Sequence, residues 1–203
     1  MLRSACIAAL FSLGLGGHAA AQAPDSTYTA IEDCRERDGP ESAPLFFECE
    51  AMGEWRVFLG ASDHSSRLAF GQRGVETQFE QSPLTRGLFQ NVGDVLEWRG
   101  LSRGEWFAPY ATISRWRAVT QQYDQETGEF TDQVRRDQEF LVVAALRSDG
   151  PVSACHVAYI DAAQLASANL IARQIADNRA SVFMCGRDEV LRINASNAEA
   201  YSR

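Results

Sequence analysis

Hydrophobic and polar residues alternate along much of this chain, in the pattern of a β-strand with one buried face. Trp55, Val57 and Leu59 alternate with Arg56 in the clearest example, and a period of two places such a set on one side of a sheet. The same pattern, interrupted by turn residues, predicts strands over residues 27–31, 45–49, 67–72, 87–92, 95–99, 106–119, 155–160, 181–185 and 189–193.

One segment is apolar at every position instead of at alternate ones. Residues Phe140–Leu146 carry no polar side chain, which is typical of a central strand covered on both faces. Before it, the acidic segment Tyr123–Asp132 predicts an exposed loop between two long strands. The segment does not fit an EF-hand calcium loop, because glycine and glutamate do not fall at the positions that such a loop requires.

A helical period occurs in the C-terminal half. Asp161 offers an N-cap, with Gln164 three residues later, an arrangement close to a capping box. Apolar residues then recur at helical spacing at Leu165, Ala168, Ile171, Ala172, Ile175 and Ala176. The spacing predicts a helix over about residues 161–177.

The pattern as a whole predicts an α+β fold that is mostly β. We expect an antiparallel sheet or sandwich with one helix in the C-terminal half. These elements would form a single domain over residues 27–193, followed by a flexible tail at 194–203.

The N-terminus has the three parts of a secretory signal. Arg3 provides a positive start, Ala5–Leu15 an apolar stretch, and Ala19–Ala21 a small-residue cleavage site. The apolar stretch is about 11 residues long, too short to span a bilayer. We therefore expect residues 1–21 to be removed and the protein to work in the periplasm or outside the cell, without an integral membrane span.

The charge of the chain excludes several partners. It has 27 acidic residues against 19 cationic ones, a formal net charge of −8, and all of the cations are arginine. An acidic surface repels phosphate backbones and anionic lipid. The composition therefore predicts no binding to nucleic acid or to an anionic membrane face.

Four cysteines remain after the expected cleavage: Cys34, Cys49, Cys155 and Cys185. In an oxidising compartment an even number indicates disulfides, and four cysteines allow three pairings. Cys34–Cys49 and Cys155–Cys185 are favoured because each pair lies within one stretch of chain. The chain has no Cys-x-x-Cys motif, and the spacing is wide for a structural zinc site.

Two histidines lie beyond the expected signal, and neither indicates a catalytic or metal site. His64 stands next to Asp63 and Ser65, but adjacent residues in a turn cannot converge as a hydrolytic triad does. His156 follows Cys155 directly, so the two side chains should point to opposite faces of a strand. We expect no metal, no cofactor and no catalytic residue set.

The tryptophans are the candidate ligand contacts. Trp55 and Trp98 are expected in the core, whereas Trp106 and Trp116 could pack there or form a binding surface, the second beside Arg115 and Arg117. Leu170 would lie on the outer side of the helix, where a lone leucine is ordinary but could also contact a partner or a second copy. The pair Glu-Trp occurs at 54–55, 97–98 and 105–106.

Residues Ala154–Ala162, with the helix and strand that follow them, resemble the C-terminal part of the invasion-associated locus B family. Members of that family are small exported proteins of alphaproteobacteria. The resemblance implies a non-enzymatic envelope protein with a β-rich fold, and it provides no catalytic residue to transfer.

Three functions are compatible with these features. The first is an exported protein of the bacterial envelope that acts by binding another envelope protein or a cell-wall component. The alternative is an envelope hydrolase that uses two carboxylates, which would require two acidic side chains to converge in a cleft. The third is a structural or assembly factor with a flat surface and an exposed apolar patch near Leu170.

Overall fold

The computed structural model describes residues 23–38, 45–49, 52–62, 65–72, 89–148 and 153–201, and within these ranges the chain is mostly β, as predicted. Ten strands form one sheet: β1 (Pro24–Ala30), β2 (Arg35–Arg37), β3 (Leu45–Cys49), β4 (Trp55–Ser62), β5 (Ser65–Gln72), β6 (Phe89–Arg103), β7 (Trp106–Tyr123), β8 (Phe130–Leu146), β9 (Ala154–Asp161) and β10 (Leu191–Ile193). The helix α1 spans Ala168–Ile175 and continues as a π-helical segment, Ala176–Ala180.

Neighbouring strands in the sheet follow the order β10-β9-β8-β7-β6-β5-β4-β3-β2, and β1 pairs with β6. Most pairs are antiparallel hairpin neighbours, whereas β10 runs parallel to β9. The bond between β5 and β6 is also parallel and consists of a single residue pair, Ser65 with Gln90. This narrow connection divides the sheet into two halves.

The two halves of the sheet pack face to face. Residues of β4 and β5, including Trp55 and Phe70, share one buried cluster with residues of β6 to β9, including Trp98, Trp116 and Val142. The rings of Phe70 and Trp98 lie 6.1 Å apart, edge to face, a favoured geometry for aromatic pairs. The predicted sandwich therefore consists of β2–β5 over β6–β9.

The helix covers the opposite face of β6–β9. Ala168, Ile171, Ala172 and Ile175 are buried on its inner side, against a second cluster formed largely by β7, β8 and β9. In β8, the residues at 141, 143 and 145 enter this cluster and those at 142, 144 and 146 enter the sandwich cluster. The prediction that 140–146 is a strand covered on both faces is confirmed.

Both predicted disulfides are present. Cys34 bonds to Cys49 at the end of β3, with 4.0 Å between their Cα atoms. Cys155 in β9 bonds to Cys185, beyond the π-helical segment, with 5.8 Å between Cα atoms. Each bond therefore closes a loop within its own half of the chain.

The helix begins later than the sequence predicts. The side chain of Asp161 accepts hydrogen bonds from the backbone N–H groups of Ala163 and Gln164, each 3.1 Å long, so it caps a turn that follows β9. The helix itself starts at Ala168. The predicted strand over 181–185 is also wrong, because none of these residues is in a strand and residues 181, 182 and 185 lie in turns.

The C-terminal residues differ from the expected tail. Residues Ala198–Tyr201 form a 3-10 helix, and Ala198 and Tyr201 pack against the helix-side cluster. The side chain of Asn197 accepts a 2.9 Å hydrogen bond from the backbone N–H of Asn194 and fixes the preceding turn. Residues 194–201 thus cover the core instead of extending away from it.

The expected signal peptide, residues 1–21, lies outside the described residues. In the part of the chain that the structure describes, no helix has the length and apolar character needed to cross a membrane.

Candidate functional site

A cleft of about 850 Å³ opens at one end of the sandwich. Its walls come from both halves of the sheet, namely the turn before β4 with the end of β5, and the start of β7 with the end of β8. The described lining residues are Met52, Gly53, Glu54, Trp55, Gln72, Glu105, Trp106, Phe107, Ala108, Pro109, Tyr110, Leu146 and Ser148. We call this space the Trp106 cleft.

The turn between β6 and β7 holds Trp106 at the lip of the cleft. Arg103 pairs with Trp106, so only Gly104 and Glu105 form the turn. Gly104 has a φ of 63°, a left-handed conformation that glycine adopts without a steric penalty. Trp106, the first residue after this turn, is 81% exposed, more than any other large hydrophobic residue in the described part of the chain.

Trp55 and Phe107 provide the apolar floor. Trp55 is buried in the sandwich cluster, and Phe107 packs against the same cluster. Phe107 also depends on a glycine in the neighbouring strand: a Cβ atom at Gly100 would lie 2.6 Å from Phe107 Cζ and 2.5 Å from the backbone oxygen of Ala108. The absence of a side chain at Gly100 allows this close approach.

A β-bulge in β7 links the cleft to the helix layer. Arg99 pairs with Ala111 whereas Gly100 pairs with Pro109, so Tyr110 is an extra residue in β7. A bulge redirects a side chain, and the hydroxyl of Tyr110 donates a 2.7 Å hydrogen bond to Asp177 Oδ1 in the π-helical segment. Tyr110 thus lines the cleft while it is anchored on the opposite face of the sheet.

Buried charge fixes that anchor. The guanidinium of Arg99 donates to both carboxylate oxygens of Asp177, at 2.9 and 2.7 Å, and its side chain is only 8% exposed. Burial and the hydrogen bond to Asp177 both raise the pKa of Tyr110. The Tyr110 hydroxyl therefore stays protonated and remains a donor.

Further polar contacts extend this cluster along the helix. Arg173 donates to Glu97 Oε1 at 2.7 Å, and the hydroxyl of Ser26 donates to the same Glu97 oxygen at 2.6 Å. Arg99 in turn donates to Ser26. Bonds from β1, β6 and α1 thus hold the helix on the sheet.

The ionic side chains that line the Trp106 cleft are acidic, and one guanidinium lies beside two lining residues: Arg56 Nη1 is 3.1 Å from the backbone oxygen of Trp55 and 3.5 Å from that of Gly53. Among its described lining residues, Glu54 and Glu105 carry negative charge and none carries positive charge. Both carboxylates belong to exposed residues. The cleft therefore combines aromatic surface with negative charge.

A smaller cavity of about 360 Å³ adjoins the cleft and shares Tyr110, Leu146 and Ser148 with it. The guanidinium of Arg147 donates to the backbone oxygens of Ala180 and Phe183. These bonds satisfy carbonyl groups at the end of the helical segment. The guanidinium of Arg147, which lines this cavity, is thus occupied by hydrogen bonds within the fold.

Of the predicted contact residues, Trp106 lies in the cleft and Trp116 does not. Trp116 is 1% exposed, and its indole N–H donates to Ser114 Oγ at 2.8 Å. Of the two alternatives for Trp116, core packing is therefore the one that the structure shows, and a place on the binding surface is not.

Arg115 and Arg117 are also separate from the cleft. Both donate to the carboxylate of Glu139, Arg117 Nε at 2.7 Å. Arg115 lies nine positions after Trp106 in β7, roughly 30 Å along an extended strand. Leu170 is 52% exposed on α1 and does not line the cleft.

Of the two candidate histidines, the structure describes only His156, and it is packed within the fold. His64 lies outside the described residues. His156 is buried, with Nδ1 2.9 Å from the Tyr159 hydroxyl, and its ring lies edge-on to Trp116. Within the described ranges, no group of three or more histidine, cysteine, aspartate or glutamate side chains is arranged to hold a metal ion.

Of the residues that line the cleft, Trp106 is predicted from the sequence as a possible ligand contact and the others are not. The repeated Glu-Trp pair was the available signal, because the pairs at 54–55 and 105–106 both line the cleft.

Searches against protein-family models, curated proteins and solved structures find no match for this chain.

Proposed function

We propose that this chain is a binding protein of the bacterial envelope and that the Trp106 cleft is its ligand site. The observation that carries the proposal is the 81% exposure of Trp106 at the lip of an aromatic cleft. Full burial of an aromatic side chain of this size stabilises a complex by about 2–3 kcal/mol. A tryptophan held in water beside a concave surface is therefore well suited to ligand contact.

The surroundings of Trp106 support the same interpretation. The two-residue turn fixes the position of its backbone, and Phe107 and Tyr110 are held by the sandwich core and by Asp177. A rigid aromatic surface loses little conformational entropy when it binds. This favours a binding role over a loop that is exposed for no function.

The periplasm is the proposed location. Two disulfides are compatible with an oxidising compartment outside the cytoplasm, and the predicted signal at residues 1–21 favours export. Membership of the invasion-associated locus B family is a proposal that depends on residues 154–162 and the segments that follow them.

The alternative of a carboxylate hydrolase has weaker support. Glu54 and Glu105 do line one cleft, but both are exposed. A general acid of this type needs a carboxyl group that desolvation keeps protonated. Binding is therefore the function that this cleft supports best.

The test is capture of partners from a periplasmic extract by the oxidised protein and two variants. Trp106→Ala removes the exposed ring at the cleft. Phe130→Ala removes a ring that is 64% exposed at the β7–β8 hairpin, and it is the matched control. We expect wild type and Phe130→Ala to retain the same envelope component and Trp106→Ala to lose it. Equal capture by Trp106→Ala, or no capture by wild type, would overturn the proposal.

A further inference from the structure

The charge of the Trp106 cleft limits what it can bind. Its two described ionic residues, Glu54 and Glu105, are both anionic, within a chain whose formal net charge is −8. Like charge in a cleft opposes an anionic ligand and attracts a cationic one. Trp106, Phe107 and Tyr110 add aromatic faces, which attract guanidinium and ammonium groups.

The backbone at the cleft offers a second means of recognition. Ala111 is the first residue of β7 to pair with β8, opposite Ala145. Residues Trp106–Pro109 pair with β6, and on their other side no described strand pairs with them. In an antiparallel pair that closes at Arg103 and Trp106, alternate residues point their backbone groups away from the partner strand. The N–H and C=O of Phe107 and the C=O of Pro109 are therefore placed to accept an added strand from a partner. Pro109 in this segment agrees with an edge position, since proline cannot donate within a sheet.

The strand edge and part of the aromatic lining of the cleft lie on the same segment, Trp106–Pro109. Side chains alternate between the faces of a strand, and Phe107 points into the sandwich, where Trp55 forms the floor of the cleft. A strand added beside Trp106–Pro109 would direct alternate side chains to the same side. The strand edge and the charged aromatic cleft can therefore engage one ligand together.

Resting on the proposed function, we infer that the Trp106 cleft binds an extended, positively charged peptide segment of a partner protein. The peptide adds as a strand beside Trp106–Pro109, and its arginine or lysine side chains enter the cleft, whose lining includes Glu54, Glu105 and Trp106. An aromatic platform would equally suit a neutral glycan, whose hydroxyls could donate to the two carboxylates, but a glycan makes no use of the strand edge.

Calorimetric titration of the oxidised protein with defined ligands tests this inference. The probe is a short acetylated and amidated peptide of alternating Arg and Thr. Matched peptides carry Gln or Glu in place of Arg, a further one is N-methylated at alternate residues, and a neutral chito-oligosaccharide represents cell-wall glycan. Glu54→Gln and Glu105→Gln remove the cleft charges. Glu126→Gln, on the exposed β7–β8 turn, is the control.

We expect the Arg peptide to bind more tightly than the Gln peptide and the Glu peptide not to bind. Glu54→Gln and Glu105→Gln should each weaken binding of the Arg peptide about two- to fivefold, Trp106→Ala about tenfold, and Glu126→Gln not at all. Binding should weaken at high salt. The N-methylated peptide should lose affinity because it cannot complete the strand.

Three results would overturn the inference. They are equal binding of the Arg and Gln peptides, retention of affinity by the N-methylated peptide, and absence of peptide binding. If the oligosaccharide alone bound, and Trp106→Ala abolished its binding, the peptide inference would fall while the proposed binding function stood. Capture from extract that is insensitive to Trp106→Ala would instead remove the proposed function itself.

Discussion

The hydroxyl of Tyr110 donates a 2.7 Å hydrogen bond to Asp177, from a strand that lines the Trp106 cleft to the π-helical segment behind it. Asp177 accepts two further bonds from the buried guanidinium of Arg99. One wall of the cleft is therefore fixed by a polar contact that passes through the sheet layer. Single π-helical turns occur often at functional sites, and here the turn carries the acceptor.

Tyr110→Phe should destabilise the protein by about 1–2 kcal/mol, because a partly buried carboxylate loses a hydrogen bond. The matched control is Tyr28→Phe: the Tyr28 hydroxyl also contacts a charged group, Arg173, at 2.9 Å, but Tyr28 is 53% exposed. Removal of the Tyr28 hydroxyl should lower the free energy of unfolding by less than about 0.5 kcal/mol. Urea unfolding measures both, and equal losses would contradict the anchoring role of Tyr110.

Gly100→Ala should destabilise the fold by about 1–3 kcal/mol through overpacking. The added methyl group would lie 2.5–2.9 Å from backbone atoms of Ala108 and from the ring of Phe107. Gly93→Ala, in the same strand, is the control, since its nearest contacts lie at 3.4 Å. Thermal unfolding should leave Gly93→Ala close to wild type. A neutral Gly100→Ala would mean that Phe107 moves away without cost.

Glu139 should contribute to the pH dependence of stability. Burial by itself raises its pKa, but hydrogen bonds and charge from Arg117 and Arg115 outweigh burial and hold the pKa below the usual 4.5. A carboxyl whose pKa is lowered on folding stabilises the folded state above its unfolded pKa, and the contribution is lost as pH falls through the lowered value. Glu139→Gln should therefore lose less stability than wild type between about pH 7 and about pH 3.

The control for Glu139 is Asp137→Asn, which removes an exposed carboxylate whose pKa is lowered by its hydrogen bond from Arg135. Its ion pair is solvated and should contribute little. Guanidinium chloride screens charge, so urea is the suitable denaturant. The same acid-induced loss in Glu139→Gln as in wild type would refute the role given to the two arginines.

Removal of the Cys155–Cys185 bond should cost more than removal of Cys34–Cys49. The bonds close loops with sequence separations of 30 and 15, and doubling a loop adds about 0.6 kcal/mol of closure entropy to a typical loss of about 3 kcal/mol. Double Cys→Ser variants of each pair, compared by urea unfolding, measure the difference. The opposite order would show that native-state contacts dominate over chain entropy.

Local features of the structure could be predicted from the sequence, because they depend on neighbouring residues. The alternation at 55–59 and the continuous apolar run at 140–146 identify β4 and β8, and cysteine spacing identifies both disulfides. The sequence also predicts two separate strands, over 87–92 and 95–99, and this division is wrong, because both segments belong to β6. Gly93 and Asp94 resemble a turn, but a shift in register between Val92 and Leu96 accommodates them within β6.

The helix shows where local signals become ambiguous. Asp161 is a good capping residue, and the same carboxylate can cap either a helix or a turn. The choice depends on Ala162 and Ala163, whose backbone N–H groups bond to the backbone oxygen of Glu139 in β8. That long-range contact has no signature near Asp161.

The β-bulge at Tyr110 determines which faces of β7 carry Trp106 and Trp116. Trp106 and Trp116 lie ten positions apart, so a regular strand would place them on one face. The extra residue changes the alternation: Phe107 and Trp116 both meet the sandwich cluster, and Trp106 is left at the lip. Only the pairing of Gly100 with Pro109 reveals this change.

The order of the cysteines has a consequence for how the chain matures. The first cysteine beyond the expected signal joins the second, and the third joins the fourth. Under the proposed export, an oxidant that couples thiols in the order in which they leave the translocation pore would produce the native bonds directly. Pairing of consecutive cysteines would then require no exchange of mispaired sulfurs.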